Sequence, residues 1–258
     1  MNYLNTNREA WDKRTKTHMQ SEFYDVKGFK DGITSLRNIE LSELTDVKNK
    51  SLLHLQCHFG LDTLSWARKG AVVTGVDLSL ESINQAKILS KKLNIDSTFV
   101  CSDVYDYNNQ DNFEKFDIVY TSYGAICWLP CLKKWATTIA NCLKPEGTFY
   151  MVEFHPINDF LDGEPYFHTS EPLISEEETY TDAEIKEKSK ICTWSHPLSN
   201  VVNSLIEQGM CIKHLNEFPY SPYNCFEGLY EKEPGHYYKQ HLEHNVPLVY
   251  SLYATKYS

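Results

Sequence analysis

Three stretches of this chain end an apolar run on a polar side chain able to hold a ligand. Leu52-Leu53-His54-Leu55 runs into Gln56-Cys57-His58-Phe59-Gly60, Val72-Val73-Thr74-Gly75-Val76 ends on Asp77, and a third run ends in Cys101-Ser102-Asp103-Val104. A carboxylate placed like Asp77 accepts hydrogen bonds from both hydroxyls of a ribose. The first loop has one glycine, Gly60, where three are needed for a backbone to approach a bulky pyrophosphate. A dinucleotide is therefore disfavoured, and a nucleoside without phosphates remains.

The elements that must position these residues alternate. The hydropathy pattern predicts strands over 51–56, 72–77, 97–101, 116–121 and 148–154, with helices near 61–69, 80–93 and 130–143. Strands alternating with helices of this length imply an α/β fold with a parallel sheet and right-handed crossovers. Ligands of such sheets lie beyond the carboxyl ends of the strands. Residues 1–45 are polar, aromatic and helix-prone, and read as a helical cap. Residues 46–156 form the nucleoside-binding half and 157–258 the remainder of one domain. In that remainder 157–195 and 219–246 read as insertions on the substrate side. A short strand is expected at 179–181, a helix over 197–208, and strands over 210–218 and 247–256. Long loops at the ligand end of a sheet are usually functional or mobile.

Composition removes several classes. The 258 residues carry a formal charge of −10 and only four arginines, so no basic track exists to neutralise nucleic-acid phosphates. No run of eighteen apolar residues occurs and the first ten residues are polar, so neither a membrane span nor a signal peptide is expected. Eight cysteines without a CxxC pair read as reduced thiols of a cytoplasmic protein. His236, His241 and His244 with Glu231 and Glu233 fit no common zinc spacing, so no metal is expected.

On these residues the stretch from Leu52 to Pro156 resembles the class I S-adenosylmethionine-dependent methyltransferases. Within them it is similar to a bacterial group whose first loop reads His-Leu-Gln-Cys-His-Phe-Gly. His54, Gln56 and His58 stand where Asp or Glu, Gly and Gly are commoner in the superfamily, and only Gly60 is kept. The likeness extends to Asn7-Arg8-Glu9-Ala10-Trp11, Glu153-Phe154-His155-Pro156, Trp194-Ser195-His196-Pro197-Leu198 and the last strand. It implies a Rossmann-like seven-stranded methyltransferase sheet, mostly parallel with the last strand antiparallel, with a helical N-terminal cap and substrate-side insertions. It also implies S-adenosylmethionine as cofactor, held by Trp11, Gln56, Cys57, His58 and Gly60. Asp77 takes the ribose and Leu78 and Val104 sandwich the adenine. The Asp103 carboxylate accepts from the exocyclic amine, the Val104 N–H donates to the ring, and Thr121 and Ser122 face the methionine moiety.

A sulfonium methyl is already activated, so the protein chiefly supplies alignment, worth up to about 7–11 kcal/mol. A general base is needed only for neutral acceptors. His155, just past the fifth strand, is the candidate catalytic residue; its alternative is a histidine that hydrogen-bonds the following loop. His196 precedes a helix-starting proline and reads as a cap or a substrate contact. Tyr24, Tyr123 and Trp128 are expected to wall the acceptor site, and Arg14 to clamp an acidic one. The expected function is methyl transfer to O or N of a small metabolite or peptide. One variant is methylation of a carboxylate, such as a peptide C-terminus. A non-catalytic adenosylmethionine-binding partner protein is a second class, and a nicotinamide oxidoreductase is disfavoured by the single glycine. Neither nucleic acid nor a membrane is expected as partner, and the sequence sets no oligomeric state.

Overall fold

Three helices precede the sheet in the computed structural model, which describes residues 2–181 and 187–257: α1 (Tyr3–His18), α2 (Val26–Lys30) and α3 (Asn38–Glu43). The core then alternates: β1 (Ser51–Leu55), α4 (Leu61–Arg68), β2 (Val72–Asp77), α5 (Leu80–Leu93), β3 (Thr98–Cys101), β4 (Phe116–Thr121), α6 (Leu132–Cys142) and β5 (Leu143–Phe154). Leu52, Leu53 and Leu55 of β1 are wholly buried, as befits a strand covered on both faces. Helix α5 shows how the sequence writes its own limits. Ser79 caps it by accepting from the Ser82 N–H, Ile83, Ala86 and Leu89 face the sheet, and Asn94 closes it in the left-handed region.

Beyond β5 follow α7 (Ile157–Leu161), an outlying antiparallel pair β6 (Leu173–Glu177) and β7 (Ser189–Thr193), α8 (Leu198–Ile206) and β8 (Met210–Phe218). Two small hairpins come next, β9 (Tyr230–Glu233) with β10 (His236–Tyr238) and β11 (Gln240–His241) with β12 (His244–Asn245), before the last strand β13 (Val249–Lys256). The main sheet has the order β3-β2-β1-β4-β5-β13-β8, and β13 runs antiparallel to both its neighbours. This is the seven-stranded arrangement the resemblance implies, with the last strand reversed. Its strand order turns back at β1 and β4, the point where such sheets leave a crevice for ligands.

Two expectations are corrected. The short strand lies at Leu173–Glu177, not at 179–181, because the ladder with β7 ends at the Glu177–Ser189 pair. Thr179 instead turns inward, its hydroxyl 2.5 Å from His18 Nε2. Strand β5 also starts earlier than expected, at Leu143, which pairs with Phe116 across an irregularity in the ladder. The cap is tied to the sheet by side chains. Asp12 of α1 accepts from the Ser79 hydroxyl at 2.6 Å and the Glu81 N–H at 3.1 Å, reinforcing the start of α5. Asn7 pairs both ways with the Cys192 backbone, substituting for a neighbouring strand along β7. No helix among the described residues is long and apolar enough to cross a membrane.

Candidate functional site

The loop after β1 is held in an unusual conformation by its neighbours. Gln56, His58 and Gly60 all take left-handed backbone angles, with φ of 58°, 50° and 80°. Such angles cost a non-glycine residue about 1–3 kcal/mol unless the surroundings impose them. Here they do: the Gln56 side chain donates to the Ala125 carbonyl at 2.6 Å, and the His58 N–H donates to Asp77 at 2.8 Å. The loop thus keeps a glycine-like path with two side chains where the superfamily has glycines. Gly60 itself is required. A Cβ there would lie 2.7 Å from the Phe99 ring and 3.1 Å from the Ala86 Cβ.

A cavity of about 720 Å³ opens over this loop and the carboxyl ends of β1 to β4. Asp77 lines it, with one oxygen accepting from His58 N–H and the other from Ser79 N–H at 2.8 Å. Each oxygen has a second lone pair left for a ligand hydroxyl. Burial pushes the Asp77 carboxyl up to about 6, against the pull of its two N–H donors. Asp103 also lines the cavity and accepts from the Tyr105 N–H at 2.6 Å, with Leu78 and Val104 beside it.

Next to the loop lie two charged residues that sequence reading did not single out, Asp62 and Arg37. Asp62, in the first turn of α4, accepts from the Ser35 hydroxyl at 2.6 Å and the Ser122 hydroxyl at 3.2 Å. An acid in a helix's first turn suits the helix dipole, and that ordinary role hides it in the sequence. Ser122 in turn lies 3.2 Å from His54 Nε2, while His54 Nδ1 lies 2.9 Å from the Thr63 hydroxyl. Burial lowers His54 to about 3, so it stays neutral. Arg37 lies 4.5 Å over the Tyr223 ring. Burial works against its charge, and Tyr223, Asp62 and Glu40 together outweigh that and hold its proton more firmly than usual. Both Asp62 and Arg37 line the cavity, and the Gln56 Oε1 nearby is buried without a partner among the described residues.

The remaining wall is aromatic. Trp11 meets Trp128 and His58 edge-on, Tyr24 stacks on His18 and lies 2.5 Å from the Tyr180 hydroxyl, and Tyr123 donates to Glu40 at 3.0 Å. Burial, aided by Asp62, pushes the Glu40 carboxyl up to about 8. Arg14 lies 5.6 Å from the Trp11 ring and 5.5 Å from the Trp128 ring. His58 is 2.9 Å from His18 and 3.0 Å from the Ser82 hydroxyl, so both its nitrogens are engaged, and burial keeps the ring neutral.

The cavity therefore brings together Trp11, Arg14, Tyr24, Gln56, Cys57, His58, Gly60, Asp77, Leu78, Asp103, Val104, Ser122, Tyr123 and Trp128. Three expected site residues lie outside its wall. His155 is buried at the other side of β5, 2.9 Å from Glu217, and accepts from the Ile157 N–H at 3.1 Å. These contacts are of the kind the loop-bracing alternative requires. His196 is 2.8 Å from the Leu129 carbonyl and stacks on His168, which buries it behind the wall. Thr121 is fully buried because successive strand side chains face opposite sides, and Ser122 takes the cavity side. Among the described residues no group of three His, Cys, Asp or Glu is placed to hold a metal ion.

Comparison with known proteins agrees with this architecture. Residues 53–151 match the family described as "Methyltransferase domain". Over 118 residues the chain is 26% identical to the ubiquinone biosynthesis O-methyltransferase of Coxiella burnetii, covering 46% of this chain and 49% of that protein. The chain thus spans about half the length of the curated relatives it matches. Among solved structures it is similar to a putative S-adenosylmethionine-dependent methyltransferase from Listeria monocytogenes (TM-score 0.59, 17% identity, 85% of this chain and 98% of that one). A second, an S-adenosylmethionine-dependent methyltransferase from Clostridium acetobutylicum, gives a TM-score of 0.59 at 16% identity over 98% and 99% of the chains. With the strand order above, these matches show that the chain is built on the fold of the class I S-adenosylmethionine-dependent methyltransferases, with residues 53–151 similar to the methyltransferase domain family.

Proposed function

We propose that the chain transfers a methyl group from S-adenosylmethionine to an oxygen or nitrogen atom of a small metabolite or peptide. The observation that carries this reading is one continuous cavity, running from the carboxylates at the ends of β2 and β3, past Asp62 and Arg37, to a wall of aromatic rings. The chemistry of that lining fits the cofactor. Asp77 retains lone pairs for a ribose diol, and Leu78 and Val104 offer apolar faces to a base. Asp62 and the orphaned Gln56 Oε1 suit an ammonium, and Arg37 suits a carboxylate. Bound adenosylmethionine supplies an electrophilic methyl on a positively charged sulfur. The chain's part is to align the acceptor and keep water from it. The similarity to an O-methyltransferase favours oxygen as the acceptor atom.

Among the described residues the imidazoles on the cavity wall, His54 and His58, have both nitrogens engaged and are held neutral by burial. An acceptor that arrives already ionised needs no base. The test is release of adenosylhomocysteine from adenosylmethionine with a panel of hydroxylated, amino and carboxylate acceptors. Turnover with any of them supports the reading; cofactor binding with no turnover on any of them would favour a non-catalytic binding protein.

The role of Asp62 has its own test. Asp62→Asn keeps the shape and removes the charge. It is expected to weaken adenosylhomocysteine binding about tenfold or more, the scale of a hydrogen bond to a charged group. Methylthioadenosine, which lacks the amino-acid end, should bind the variant as it binds the wild type in calorimetry. An equal loss for both ligands would remove Asp62 from the ammonium position.

A further inference from the structure

Arg14 is only 6% exposed, yet it lines the cavity and forms no ion pair among the described residues. Its Nε is buried without a hydrogen-bond partner. The carboxylate whose field reaches it, Glu177, is exposed on β6 at the cavity rim, beyond ion-pair distance. Burying a guanidinium without a counter-ion is costly, and the planar fork of arginine matches a carboxylate in two parallel hydrogen bonds. The indoles of Trp11 and Trp128, 5.6 and 5.5 Å from the guanidinium, hold it in place. The cavity surface thus has a fixed cation, flanked by rings, that makes no ion pair among the described residues.

The second cavity arginine, Arg37, also has a buried Nε without a partner and makes no ion pair among the described residues, but it is differently placed. Its electrostatic neighbours are Tyr223, Asp62 and Glu40, whereas those of Arg14 are Tyr180, Glu177, Cys127 and Tyr24. The Arg37–Asp62 end therefore carries both charges that a zwitterionic amino acid requires, and Arg14 is left over. We propose that Arg14 is the anion receptor of the acceptor half, and that the acceptor is a carboxylic acid with an apolar, ring-bearing body. This rests on the methyl-transfer reading above and narrows its substrate class. It also agrees with the engaged imidazoles of the wall, because a carboxylate oxygen needs no deprotonation.

The test uses matched pairs, hydroxybenzoates against the corresponding hydroxybenzamides, with the full chain. Calorimetry measures their binding to the adenosylhomocysteine complex, and adenosylhomocysteine release measures their turnover. The wild type is expected to favour the acids by about tenfold or more, the scale of a charge-assisted hydrogen bond. Arg14→Gln should abolish that preference while binding adenosylmethionine within about threefold of wild type; Arg14→Lys should retain part of the preference. Acids bound no better than amides by the wild-type complex would overturn the proposal, whether or not the variants fold. So would a large loss of adenosylmethionine affinity in Arg14→Gln with methylthioadenosine unaffected, since the anion would then be the cofactor's own carboxylate. Failure of the wild type to bind adenosylmethionine at all would overturn the methyl-transfer reading itself.

Discussion

Glu153→Ala is expected to cost the folded chain about 4 kcal/mol, because the carboxylate is the shared acceptor for four N–H groups of a buried turn and each orphaned buried donor costs ~1–3 kcal/mol. Glu153 lies near the end of β5, 3% exposed, and accepts from the N–H groups of Ala125 at 2.8 Å, Ile126 at 3.1 Å and Phe154 at 2.7 Å, and from that of Gly124. Burial lifts its carboxyl to about 7 even though all four N–H groups favour the charged form. The turn it holds is part of the site: the Ala125 carbonyl anchors Gln56, and the Gly124 carbonyl accepts from Trp128 Nε1 at 2.8 Å. Losing the carboxylate should therefore lower the urea midpoint and cofactor affinity together. Glu153→Gln keeps one acceptor oxygen and turns the other position into a donor, so an intermediate loss is expected. An unfolding free energy for Glu153→Ala within about 0.5 kcal/mol of wild type, in the range of ordinary surface substitutions, would show that the turn stands without it.

Asp77→Ala should weaken adenosylmethionine binding by about 1.5–3 kcal/mol, roughly tenfold to a hundredfold in Kd, the range for hydrogen bonds to a charged group. The same carboxylate also fixes the first loop through His58 N–H and the start of α5 through Ser79 N–H, so the loss should reach the upper end of that range. A pH signature separates the two contributions. Burial raises Asp77 from the usual 3.8 to about 6, so it is a full acceptor above that pH and carries a proton below it. Cofactor affinity should be flat above about pH 7 and fall as pH drops through 6, by at most about tenfold per unit for one proton. Asp77→Asn cannot titrate, so its weaker binding should lose this step. Calorimetry between pH 5 and 8 is the measurement; unchanged affinity in Asp77→Ala would remove the residue from the ribose role.

The parts of the fold legible in the sequence were those written in apolar runs. Leu52-Leu53-His54-Leu55 and Val73 to Val76 can be covered on both faces only as central strands, and their spacing leaves room for one helix. The strand-end acids followed from this, since a strand's last residue is fixed once its register is. What escaped was set by partners distant in sequence. Gln56 and His58 occupy glycine-like angles because Ala125 and Asp77 hold them there, which no local pattern reveals. Asp62 and Arg37 look like a helix-start acid and a cap residue until Ser35, Ser122 and Tyr223 converge on them. For His155, where the sequence left both a base and a loop brace open, one step of strand alternation matters: Phe154 reaches the cavity, and His155 meets Glu217 on β8. Retained turnover in His155→Gln is the corresponding outcome.

The expected effects on cofactor binding depend on adenosylmethionine lying across the ends of β1, β2 and β3 with its amino-acid end toward Asp62. A crystal structure of the chain with adenosylhomocysteine tests that most directly. The account predicts the ribose hydroxyls on Asp77, the adenine between Leu78 and Val104, and the ammonium beside Asp62. The nucleoside found outside this cavity, or inside it with Asp77 facing no hydroxyl, would contradict it.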